Sequence, residues 1–326
     1  MNPHVLHKSP TALCNRLQAG QLPPPPLVLR QWIGGRIKQL TGSTGSPDAF
    51  TRPAGDPGLF GPLAMTWRVH AHFVGMLVGG LSSLLLQALH PRALAAVWDH
   101  SNFRQNLKGR LGRTAYFVAI TTYGGREDAL LAIERVNRIH ANVKGYMPDG
   151  STYAANEPAL LRWVHLGEVS SFLQGYQHLS MQTLSPAQAD NYVNEMALIG
   201  HKLGAVDLPL TVSACNEALQ AYRGDLVCNQ RTRDIVQVIE NYPVDLWDKP
   251  FMHLVIKAAF HTLPEWALHM LGRPVASEPE RQLVRHALRL AGLPVQATLD
   301  EDGVAAQAKR RVMRVADGFS TATPLT

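Results

Sequence analysis

The run from Phe73 to Leu89, FVGMLVGGLSSLLLQAL, carries 17 residues without a charge. It constrains the fold more than any other stretch. A helix of that length spans about 25 Å and barely reaches what a bilayer crossing needs. His72 and His90 bracket it. A buried central helix is therefore expected, and a helix that is apolar on all sides needs other helices around it.

The rest of the chain supplies them. SPAQADNYVNEMALIGHKLG carries full helix punctuation: Ser185 as N-cap, Pro186 at the first position, Gln188 closing a capping box and Gly204 as stop. NEPALLRWVHLGEVSSFLQGYQHL opens in a similar way, with Asn156 as cap and Pro158 in the first turn. Further helices are predicted over 91–100, 110–122, 126–144, 213–223, 230–240, 250–262, 265–271, 279–291 and 303–315. No convincing period-two alternation appears, so the predicted class is all-α, a large single-domain helical bundle. With 326 residues, 46% of them hydrophobic, the chain can bury a large core. The bundle is expected over residues 58–326, behind a poorly structured Pro/Gly-rich leader over 1–57. Within that leader, LVLRQWIGGRIKQL reads as a short basic amphipathic helix that packs on the body or touches a membrane.

Net charge is +6 and the pI about 9.3. The arginines are scattered. The one dense basic run, Lys309-Arg310-Arg311 with Arg314, comes with no nucleic-acid signature and reads as a solvated helix face. A basic surface is compatible with peripheral contact to anionic membrane. Three cysteines, Cys14, Cys215 and Cys228, form no C-x-x-C, which fits a reducing compartment and excludes a cysteine-based metal cluster. The N-terminal residues lack the apolar core of a signal peptide, so a cytoplasmic protein is the expectation, with association to a membrane surface as the alternative.

Candidate chemistry begins in RVNRIHANVKGY, from Arg135 to Tyr146. Ile133, Val136, His140 and Val143 share one helix face, so an imidazole interrupts an apolar stripe. It is either a core histidine bonded to a carbonyl or a metal ligand. On the preceding helix Arg110, Arg113, Thr114 and Phe117 also share a face. Asp99 is the only carboxylate between residues 57 and 126, so these arginines lack local acids. Carboxylates of a bound ligand would pair with them.

DPGLFGPLAMTWRVHAHFVGMLVGGLSSLLLQALHPRALAAVWDHSNF, followed by RLGRT, RIHANVKG, YAANEPALLRWVH and YVNEM, resembles the MpaB and rubber-oxygenase family, which includes latex clearing protein. The resemblance covers roughly residues 56–270. It implies an all-helical domain holding haem b, with iron on a proximal histidine and dioxygen cleaving carbon–carbon double bonds of isoprenoid chains. Carried over, the iron ligand falls on His140, and the family's arginine–threonine stretch on Arg110, Arg113 and Thr114 beside the haem. The second ring nitrogen of His140 would then donate to a carbonyl or carboxylate. The Thr114 hydroxyl and an arginine would face the bound oxygen. Phe117 would contact the cofactor, and His165, in a family motif on an apolar helix, would line the pocket. Two departures stand out. Arg113 replaces a lysine able to ligate iron in latex clearing protein, and residues 57–126 hold no glutamate to match its distal base.

The expected activity is thus a haem-dependent oxygenase or peroxygenase acting on a hydrophobic, isoprenoid or lipid-like substrate. The alternative is a non-catalytic helical haem- or lipid-binding protein. A di-iron carboxylate bundle would need paired E-x-x-H motifs, which the chain lacks. Among other histidines, His90 precedes a proline and marks a helix break, and His100 sits at a helix end. His253, His261 and His269 are interrupted by Pro264 and are not expected to share a site. The apolar segment Lys249–Gly272 is expected to cover the core, with an apolar entrance for lipid as the sharper alternative.

Overall fold

The computed structural model describes residues 23–41 and 47–314. Helices dominate: α1 (Leu27–Thr41), α2 (Met65–His70), α3 (Phe73–Gln87), α4 (Pro91–His100), α5 (Leu107–Tyr123), α6 (Arg126–Asn142), α7 (Pro158–Leu179), α8 (Pro186–Lys202), α9 (Val212–Ala221), α10 (Gln230–Glu240), α11 (Lys249–His261), α12 (Glu265–Met270), α13 (Glu278–Asp302) and α14 (Val304–Met313). The one sheet among the described residues is a hairpin of β1 (Lys144–Tyr146) and β2 (Thr152–Ala154), antiparallel, with Gly145 opposite Tyr153. The all-α expectation holds. No single helix among the described residues is long and apolar enough to cross a membrane.

The charge-free run becomes α3 and lies against α7. Both are built to touch along their backbones. A Cβ on Gly175 of α7 would stand 2.3 Å from the carbonyl oxygen of Gly75, and one on Gly79 would stand 2.7 Å from that of Ser171. The order of these contacts makes the two helices antiparallel. Both bracketing histidines are N-caps. His72 Nδ1 accepts from the Gly75 N–H at 3.0 Å, and His90 caps α4 with Pro91 behind it, where the chain bends by 106°.

Neighbouring helices are fixed by polar groups at their ends. Glu195 on α8 accepts from the backbone N–H groups of Met65 and Thr66 at 3.0 and 2.7 Å, placing a carboxylate at the start of α2. The Arg289 guanidinium of α13 donates to the carbonyls of His178, Leu179 and Ser180, where α7 ends. Ser185 and Gln188 form the capping box expected for α8. Asn156 does not cap α7; Glu157 is the flanking residue, and its carboxylate instead takes the Ala154 N–H and Arg92.

Part of the stretch read as a flexible leader packs on the body. Residues 1–22 and 42–46 lie outside the described residues, Cys14 among them. Within the rest, Ile33 and Leu40 of α1 are buried, and Phe50 joins a small core with Trp67, Ile120 and Tyr123. Arg311 on α14 is fully buried and donates to the carbonyls of Asp56, Tyr123 and Gly124. The body therefore begins well before residue 58, because apolar side chains there find partners that composition does not reveal. Pro264 separates α11 from α12 as expected. α13, by contrast, runs through Pro294 rather than stopping near 291. Arg289 on one side of the proline and Gly292 against Val74 hold that helix in place.

Candidate active site

One cavity of about 920 Å³ lies over the α3–α7 pair, at the upper end of the range of ligand pockets. α3 and α7 form its floor. α5 and α6 form one wall, and α1 with the α13–α14 junction forms the roof.

The six residues expected to bind cofactor or act in catalysis all line this cavity: Arg110, Arg113, Thr114, Phe117, His140 and His165. The stripe that carries His140 faces this space rather than a closed core, which is why Val136 and His140 are only half-buried while Ile133 is fully buried. His140 Nδ1 is buried and has no hydrogen-bond partner. The carbonyl or carboxylate expected to fix the ring is not present among the described residues. Burial, and secondarily the Arg110 charge, lower the pKa of His140, so the ring is neutral at neutral pH.

Arg110 is half-buried, and Nη1 donates to Ser101 Oγ at 3.1 Å. Burial and the neighbouring Arg113 lower its pKa, but a guanidinium keeps its proton. The scarce local acid does not serve it: Asp99 accepts from Tyr153 Oη at 2.6 Å and pairs with Arg231 at 3.5 Å. No ion pair reaches Arg110 or Arg113 among the described residues. Arg113 and Thr114 are exposed on the cavity wall, and the Thr114 hydroxyl donates to the Arg110 carbonyl at 3.3 Å. The wall thus presents a neutral imidazole, two guanidiniums free of carboxylates and a hydroxyl.

His165 is buried and its Nε2 has no partner; burial pushes its pKa down to about 4. Sequence reasoning missed Glu168, one turn along α7. It lines the same cavity, and burial raises its carboxyl to about 7. A signal was there: Leu161, His165, Glu168 and Phe172 are spaced 4, 3 and 4, so a carboxylate interrupts an apolar stripe just as His140 does.

The other histidines lie elsewhere. His90 is a cap, and His100 bonds the Lys144 carbonyl at 3.2 Å. His253, His261 and His269 do not line the cavity. From Lys249–Gly272 only Met252 reaches it, and the apolar side of α11 is buried in the core. The apolar entrance considered for that segment is not formed by it. Exposed apolar groups gather instead on α1, at Val28, Leu29 and Trp32.

Among the described residues no group of three His, Cys, Asp or Glu side chains could hold a bare metal ion. A lone imidazole suits a metal whose remaining ligands come from its own macrocycle. Two uncompensated guanidiniums suit the carboxylates of such a group. No curated protein and no solved structure matches the chain. Residues 67–293 match the family described as ER-bound oxygenase mpaB/B'/Rubber oxygenase, catalytic domain. That stretch contains α3, α5, α6 and α7, and with them every wall and floor residue named above; the chain belongs to the MpaB/rubber oxygenase family.

Proposed function

We propose that this chain is a haem b-dependent oxygenase acting on a hydrophobic, isoprenoid- or lipid-like substrate, with His140 as the iron ligand. The observation that carries the reading is the orphaned, buried Nδ1 of a neutral His140 on the same cavity wall as Arg110, a half-buried guanidinium without a carboxylate. His140 would hold the iron, Arg110 a propionate, and Phe117 would pack on the ring. Haem supplies redox-active iron for dioxygen chemistry.

This chain's residues do the rest. Burial keeps the imidazole deprotonated, so its lone pair is available near pH 7. Thr114 and Arg113 supply a hydroxyl donor and a permanent positive charge on the wall, where negative charge that develops on an oxygen atom is stabilised. The apolar floor excludes water and receives a hydrocarbon chain. Arg113 cannot serve as an iron ligand, and no glutamate stands between residues 57 and 126. The reading therefore does not extend to rubber as substrate.

The purified protein is expected to show a Soret band and a positive pyridine haemochrome assay, both lost in His140→Ala. Full haem occupancy and an unchanged spectrum in that variant would sink the reading. The missing glutamate favours a second reading, a haem- or lipid-binding protein without turnover. Oxygen uptake with a lipid alkene separates the two.

A further inference from the structure

Most polar side chains on the cavity wall have partners. His70 uses both ring nitrogens, Nδ1 against Thr122 Oγ1 at 2.8 Å and Nε2 against Tyr192 Oη at 3.1 Å. Tyr123 donates to the Trp67 carbonyl, and Gln87 donates to Ser83 Oγ. Among the described residues, Arg30 Nε on the roof side is left without a partner, and two further unsatisfied places stand on the floor and wall. One is His140 beside Arg110, which the proposed cofactor would occupy. The other lies on α7, where His165 and Glu168 stand three residues apart on one face. His165 Nε2 is buried without a partner. The Glu168 carboxyl accepts no hydrogen bond and forms no ion pair among the described residues. Both groups line the cavity, and their near neighbours on its floor, Leu161, Val164 and Phe172, are apolar.

A buried polar atom without a partner is costly and rare, and here the His165 Nε2 stands one turn from a half-buried carboxyl that is also unpaired, in a space made for a ligand. We infer that His165 and Glu168 form a recognition pair for a hydroxyl group at one end of an otherwise apolar substrate. The inference rests on the reading that the cavity receives such a substrate, and it names the substrate's polar end. The chemistry is complementary. A neutral imidazole brings an N–H donor, and above about pH 8, where Glu168 is ionised, its carboxylate brings acceptors only. One hydroxyl can accept from the first and donate to the second. An ether accepts but cannot donate, so the carboxylate stays unsatisfied. A hydrocarbon leaves both groups unsatisfied. An ammonium head would pair with Glu168 and could donate to the imidazole in its other tautomer, but it would share the cavity with the charges of Arg110 and Arg113.

The test is equilibrium dialysis of radiolabelled dodecanol and dodecyl methyl ether against the full chain as purified, at about pH 8.5, where the Glu168 carboxyl is ionised. The wild-type protein is expected to bind the alcohol about tenfold more tightly than the ether, the value of one hydrogen bond to a charged acceptor. In Glu168→Met the preference should vanish while affinity for the ether is kept. That variant replaces an unpaired, half-buried carboxyl with a side chain of similar length, so it is expected to fold. His165→Phe should weaken alcohol binding relative to the wild type and leave hydrocarbon binding unchanged. No preference in the wild type, or a preference that persists in both variants, would overturn the inference. So would an equal loss for both ligands in both variants, which reports only a change of cavity shape. Binding needs no turnover. An alcohol preference in a protein that consumes no oxygen would leave this inference standing and remove the oxygenase reading.

Discussion

The floor and the roof of the cavity are built on opposite principles. α3 and α7 meet backbone to backbone through glycines, and their leucines and valines lie in the main core. Among the described residues, α1 in the roof buries only Ile33 and Leu40, and it leaves Leu27, Val28, Leu29 and Trp32 exposed. Ion pairs near the surface tie it down: Arg30 to Asp302 at 3.0 Å, and Arg36 to Asp245 at 3.2 Å and Asp248 at 2.5 Å. Close packing tolerates almost no change, while exposed ion pairs contribute little and exchange readily. The difference teaches where motion belongs. The floor holds the geometry of the site, and the roof can open locally without unfolding it.

The largest expected effect breaks the floor. In Gly175→Val the new Cβ would meet the Gly75 carbonyl oxygen at 2.3 Å, and neither backbone can retreat. A loss of about 3 kcal/mol or more is expected in urea unfolding. An unchanged midpoint would mean that the two helices do not touch as described.

A smaller effect concerns the charge that the floor carries. Burial raises the Glu168 carboxyl from 4.5 to about 7. The folded state therefore holds this proton more tightly than the unfolded state does. Its contribution is most favourable below pH 4.5 and declines as pH rises to 7, by up to about 3 kcal/mol. His70, near 3, and His165, near 4, act in the opposite sense, losing stability as pH falls below 6.5. The difference between wild type and Glu168→Gln isolates the carboxyl: the variant should gain relative stability between pH 5 and 8. A difference that does not vary with pH would show that Glu168 is solvated.

The smallest effect sharpens the contrast from the roof side. Arg36→Ala removes two ion pairs at the surface and should change global stability by less than about 1 kcal/mol. Amide exchange in α1 should nonetheless rise while exchange in α3 and α7 stays as in the parent. Equal acceleration everywhere would erase the distinction between floor and roof.

Much of this was legible in the sequence because the physics was local. The helix starts of α4 and α8 follow from caps and prolines read over a few residues. His140 was visible as a polar residue on an apolar stripe. Glu168 obeyed the same rule but sat in a helix whose remaining face looked like ordinary core, and only the cavity separates the two cases. The β1–β2 hairpin escaped because three-residue strands are too short to show alternation, although the turn residues Pro148, Asp149 and Gly150 mark it. The α1 helix was legible, with packing on the body as one of its two readings, but its partners and the packing of Phe50 were not. Their partners lie on α5, α13 and α14, and no composition rule reports contacts across so much chain.

The roof lies outside the stretch by which the family is recognised. Residues 67–293 supply His140, the arginines and the glycine contact, while α1, the end of α13 and α14 fall on either side of it. Inheritance can therefore act on the two parts separately. A descendant that kept the matched stretch and exchanged its flanks would retain the imidazole and the guanidiniums and alter what reaches them. A chain trimmed to the recognised boundaries would lose the cover over its cavity, and its apparent tolerance for ligands would say little about the selectivity of the whole.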